Sequence, residues 1–110
     1  MALFMWLARY TPQAVKTIVE SGSNREEMAR HTVESAGGKL LGFYGLIGQE
    51  HHIALICDVP KQSDFIGIVL RANLGGAIES FKTVPLFDWP EFEDALKTYS
   101  SLSGVYTPPS

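Results

Sequence analysis

The chain has 110 residues, 45% hydrophobic and 19% charged, with a net charge of −3 and a single cysteine. That length supports one domain burying somewhat under ~70% of the surface its unfolded chain exposes, and apolar content near the globular average excludes global disorder. One thiol excludes an internal disulfide framework, and without a Lys/Arg block no nucleic-acid-tracking surface is expected.

Met1 to Ala8 is wholly apolar. No basic residue precedes it and Arg9-Tyr10-Thr11-Pro12 follows it, which is not the pattern of a secretory signal. A membrane span needs about 18 or more apolar residues. The run therefore reads as a buried strand, no membrane association is expected, and the cytoplasm is the default compartment. Thr11-Pro12 then carries a helix start, because Thr can cap exposed amides and Pro tolerates the first helical position. Val15, Ile18 and Val19 keep helical spacing up to Ser21-Gly22. Ser23 and Asn24 offer a second cap, with Glu26 and Glu27 three residues on. Ala29, Val33 and Ala36 continue the apolar face until Gly37-Gly38, so this region is one broken helix or two consecutive ones.

Lys39 to Ile47 and Ile53 to Val59 read as strands joined by the hairpin loop Gly48-Gln49-Glu50-His51-His52. After Pro60, Phe65 to Leu74 is an apolar helix ended by Gly75-Gly76. Ala77 to Phe87 is a fourth strand whose polar residues and Pro85 suit a sheet edge. Asp88 is a candidate N-cap for a last helix, with Pro90 in its first turn, Glu91 at the capping-box position, and Phe87 and Phe92 at the staple positions. Residues 1–99 form the domain, and 100–110 is a Ser/Pro/Gly-rich tail. The order is β-α-β-β-α-β plus a C-terminal helix. It predicts an α+β, ferredoxin-like antiparallel sheet with helices on one face.

Successive side chains on a strand alternate faces. Strand one places Leu3, Met5 and Leu7 on one side and Phe4, Trp6 and Ala8 on the other. Strand three sets Ile53, Leu55 and Cys57 against Ala54 and Ile56, and strand two sets Leu41, Phe43 and Ile47 against Leu40, Tyr44 and Leu46. A sheet with one wet face should alternate apolar and polar residues, and these strands do not. Helices cover one face. The other requires a second copy of the chain, as in a two-fold homodimer, or the final helix folded across it.

The series Tyr10-Thr11-Pro12-Gln13-Ala14, Ala36-Gly37-Gly38-Lys39, Phe43-Tyr44, Gly48, Ile53-Ala54-Leu55-Ile56, Pro60, Leu74-Gly75-Gly76, Glu79 and Val84-Pro85-Leu86-Phe87 resembles the GYD-domain family over about residues 1–98. The resemblance implies a ferredoxin-like subunit that pairs sheet to sheet as a dimeric α/β barrel. It implies no established activity. More distant members of the barrel group include cofactor-free monooxygenases, haem enzymes and ligand-sensing domains, among which fold analogy does not choose. One departure stands out. Where the family carries Gly-Tyr-Asp or Gly-Glu-Tyr-Asp before the third strand, this chain has Gly48-Gln49-Glu50-His51-His52.

His51 and His52 beside Glu50 are the polar cluster with reactive potential, since imidazole works as acid or base near neutral pH. Adjacent strand residues face opposite ways, but Glu50 and His52 share a face and would form an acid–imidazole pair if the third strand begins early. The bland alternative is a polar loop tip. His31 falls on a solvated helix face. No metal-ligand spacing exists, so no metal or cofactor is expected.

Arg9 either holds an anionic ligand at a cavity mouth or pairs with a carboxylate at the sheet rim. Trp6, Phe43, Tyr44 and Phe81 either line a pocket between sheet and helices or are plain core. Gly67, in mid-helix, costs ~1 kcal/mol against Ala and calls for close packing or room for a ligand. Cys57 reads as a small core residue. The expected protein is a homodimer or higher homo-oligomer, non-catalytic, that binds a small hydrophobic ligand through Trp6, Arg9, Tyr44, Glu50 and His52, or is purely structural. The alternative is a cofactor-independent monooxygenase or isomerase using His51, His52 or Tyr44 for proton handling.

Overall fold

The computed structural model describes all residues from 1 to 110. Strand β1 (Ala2–Tyr10) leads to helices α1 (Pro12–Ser21) and α2 (Arg25–Ser35), then strands β2 (Lys39–Gly45) and β3 (Ile53–Val59). Helix α3 (Gln62–Leu74), strand β4 (Ile78–Leu86) and helix α4 (Trp89–Ser101) complete the chain. The strands form one sheet in the order β2-β3-β1-β4, with every neighbouring pair antiparallel. This is the ferredoxin-like arrangement, and β4 with its Pro85 lies at an edge as its composition requires.

Local chemistry sets the helix boundaries. Thr11, Asn24 and Asp88 each accept a hydrogen bond from the backbone N–H three residues on, at 3.1 Å in every case. Between the first two helices Gly22 takes φ 67° and closes α1, so the region is two helices. Phe87 and Phe92 bracket the start of α4 with ring centroids 6.2 Å apart, the hydrophobic staple that sets how the chain approaches this helix. Close approach governs the start of β2. A Cβ on Gly38 would sit 2.5 Å from the Asp58 carbonyl oxygen and 2.9 Å from Val59 Cγ1.

The core is one face of the two central strands. Phe4, Trp6, Ala8 and Tyr10 of β1 and Ile53, Leu55, Cys57 and Val59 of β3 are buried together with Val33 of α2 and Phe65 of α3. The Phe4 and Phe65 rings stack at 4.2 Å. Ala14, Ile18, Ala29, Ile68 and Ala72 add the inner sides of α1, α2 and α3.

The opposite face carries Met5 beside Ile56 and Val84, Leu7 beside Ala54, and Leu3 beside Leu86. No part of the chain covers it. Helix α4 buries none of its residues and packs substantially against no other element. A final helix folded across the second face is therefore not what the chain does. The radius of gyration is 17.7 Å, against about 13 Å for a compact domain of this length, because α4 extends away from the body.

β1 ends on Arg9 and Tyr10, as expected, and both pair with β4. Two further expectations change. Alternation in β2 is broken by a bulge between Leu40 and Gly42, so Leu40 and Phe43 face the core while Leu41 is exposed. Gly67 has neither close packing nor a ligand-sized recess against it, for a Cβ there meets nothing within 4 Å.

Candidate functional site

The residues singled out from sequence divide into two groups at different places. The first gathers where β1 meets the β2–β3 loop. Tyr10 N–H donates to His52 Nδ1 at 3.1 Å, and His52 N–H donates to the Ala8 carbonyl at 2.8 Å. The loop residue thus continues the β1–β3 ladder past the end of β3. With Nδ1 accepting, the neutral imidazole carries its proton on Nε2. Arg9 lies beside this junction. Its Nε donates to Glu79 Oε2 at 3.0 Å and its Nη1 to the Glu50 carbonyl at 2.7 Å. The β1–β4 register slips at this point, pairing Arg9 with Ser80 and Tyr10 with Ile78. Glu79 is left as the bulged residue that meets the guanidinium.

Arg9 is therefore a brace that ties β4 and the hairpin loop to β1, the carboxylate-paired alternative raised for it above. Glu50 takes part through its main chain, and the expected Glu50–His52 acid–imidazole pair does not form, because β3 begins only at Ile53. Tyr44 pairs with Ala54 on the uncovered face and is 60% exposed. It stands away from the helix side, so Trp6, Arg9, Tyr44, Glu50 and His52 do not converge on one cavity.

The second group lines a recess between the sheet and the helices. A cavity of about 300 Å³ is bounded by Trp6 and Tyr10 of β1, Phe43 of β2, Ile53 of β3, Met28, Ala29 and Thr32 of α2, and Ile68 and Ala72 of α3. Two arginines complete its lining, Arg25 from the first turn of α2 and Arg71 from the last turn of α3. A more open depression of about 480 Å³ shares Tyr10, Arg25, Phe43 and Ile53 with it and reaches His52 under α1. Trp6 and Phe43 are thus cavity residues. Phe81 instead packs on the Trp6 ring, centroids 5.9 Å apart.

Sequence reasoning passed over Arg25 and Arg71. The available signal was the sign of Arg25, a cation in the first turn of a helix, where the macrodipole favours an anion. Cys57 is fully buried, and burial, reinforced by the neighbouring Asp58 carboxylate, pushes its thiol up to about 11. It is a core residue without nucleophilic character. No group of three or more His, Cys, Asp or Glu side chains stands together in a metal-binding cluster.

The GYD domain family profile matches residues 4–96, most of the chain. The protein belongs to the GYD domain family. A solved structure similar to this GYD chain is an uncharacterised NIPSNAP domain protein from Burkholderia xenovorans, with 13% sequence identity and a TM-score of 0.47, covering 80% of this chain and 94% of that one. A comparison with curated protein sequences gives no match. In this GYD protein the β2–β3 loop is held by Arg9 and Tyr10, through Glu50 and His52. No helix is long and apolar enough to cross a membrane.

Proposed function

We propose that this GYD protein is a homo-oligomeric, non-catalytic module that binds small apolar molecules, with two copies meeting sheet to sheet as a dimeric α/β barrel. The observation that carries this reading is the two-faced sheet. Leu3, Met5, Leu7, Ala54 and Ile56 form an apolar face that α1, α2 and α3 do not cover and that α4 leaves bare. Burying apolar surface contributes roughly 25 cal/mol per Å², and a second copy supplies a matching surface by symmetry.

The binding half of the reading is supported by an apolar cavity of ligand size, about 300 Å³, between sheet and helices. The one thiol, buried and free, suits a reducing cytoplasm. Sedimentation velocity of the protein and of Met5→Lys tests the assembly. A dimer or larger species that becomes a folded monomer on substitution supports it, and a monomer in both overturns it.

A second reading has its own observation. His52 Nε2 makes no protein hydrogen bond and His52 lines the open depression beside Tyr10. A cofactor-independent monooxygenase or isomerase would use that nitrogen for proton transfer. Substrate turnover lost in His52→Ala with folding intact would favour it over the non-catalytic module.

A further inference from the structure

We infer that the cavity between α2, α3 and the sheet takes an apolar carboxylic acid, its carboxylate held by Arg25 and Arg71. This inference rests on the binding reading above and specifies the ligand's chemistry.

The chain has four arginines. Arg9 is paired with Glu79 and Arg30 with Glu26 and Glu27. Arg25 and Arg71 have no carboxylate partner, and both line this one cavity from different helices. Arg25's hydrogen bond is a long 3.4 Å contact with Ser23 Oγ. No acidic residue lines the cavity. Arg71 in the last turn of α3 agrees with the helix dipole, but Arg25 in the first turn of α2 opposes it. An anion at the mouth removes that mismatch and matches the forked donors of arginine.

A second observation comes from the walls. Trp6, Met28, Phe43 and Ile68 make the rest of the cavity apolar, which suits a ligand whose body is apolar. An anion with no apolar body would leave those walls unfilled, and a pure hydrocarbon would leave both guanidinium groups unpaired.

The test uses 4-benzoylbenzoate, which carries a carboxylate, an aryl ketone and a photoreactive apolar body, against neutral 4-methylbenzophenone. Trp89→Phe leaves Trp6 as the sole tryptophan reporter. The expected result is a saturable change in Trp6 emission, photo-crosslinking to α2 or α3, and binding at least tenfold tighter for the acid than for the neutral ketone. Arg25→Gln/Arg71→Gln, with unchanged circular dichroism and melting, should abolish that preference while the neutral ketone binds as before. Equal binding of acid and ketone, insensitive to the arginines, overturns the carboxylate assignment and leaves small-molecule binding standing. Saturable binding of neither overturns both for this cavity.

Discussion

Tyr10 and His52 are joined through a main-chain N–H and an imidazole nitrogen, 3.1 Å apart, with their rings roughly parallel at 6.1 Å. A side chain from the β2–β3 loop thereby completes the hydrogen-bond ladder of the central strand. Its role is to hold the β2–β3 loop against the end of β1. His52→Ala leaves the Tyr10 N–H without its acceptor and should cost on the order of 1–2 kcal/mol, read by chemical denaturation. Nitrogen-15 spectra of the neutral imidazole should show the proton on Nε2.

Two glycines should respond in opposite directions to the same substitution. In Gly38→Ala the new methyl meets the Asp58 carbonyl oxygen at 2.5 Å and Val59 Cγ1 at 2.9 Å. Neither is the end of a flexible side chain, so a loss of roughly 1–3 kcal/mol is expected from overpacking. Gly67→Ala meets open space on an exposed helix face and should stabilise by up to about 1 kcal/mol through helix propensity. Thermal melts of the two variants beside the parent check both signs.

Much of the fold was legible because its signals are local. Thr11, Asn24 and Asp88 announce their helices within three residues, and Phe87 with Phe92 fixes how α4 begins. The nearly unbroken apolar runs of β1 and β3 likewise mark a sheet that is apolar on both faces. The site was less legible because it depends on contacts distant in sequence. Nothing near Arg25 or Arg71 indicates that they share a cavity, and nothing near Glu50 indicates that its carbonyl, and not its carboxylate, is engaged by Arg9. The bulge beside Leu41 reverses a face assignment that strict alternation would make. Gly67 is a costly residue for which the structure offers no packing reason.

Cys57 should be inert while the protein is folded. Its side chain is 0% exposed and its thiol is pushed up to about 11, first by burial and then by Asp58. At pH 8 a disulfide reagent such as Ellman's should leave the native protein unlabelled and titrate one thiol after denaturation. The raised value also sets a direction for stability. Between pH 9.0, the ordinary value, and about 11 the unfolded chain gives up this proton first, so Cys57's contribution is whole below that interval and is lost as pH rises through it. Cys57→Ala should show a shallower loss of stability with pH over the same interval.

The Arg9 brace is largely solvated, with the side chains of Arg9 and Glu79 40% and 48% exposed. Arg9→Ala should therefore cost little in global stability, within about 1 kcal/mol for its ion pair. Its effect should instead be local, as faster amide exchange in the β2–β3 loop and at the β4 bulge. Equal exchange in parent and variant would show that the brace does not order the loop.

Native mass spectrometry of untagged protein purified from its own host tests the central claim, an oligomer closed over the bare sheet face that carries a small molecule in each copy. The expected result is a dimer or larger assembly with a reproducible extra mass that is released under acid. A bare monomer, with Leu3, Met5 and Leu7 left facing water, would contradict it.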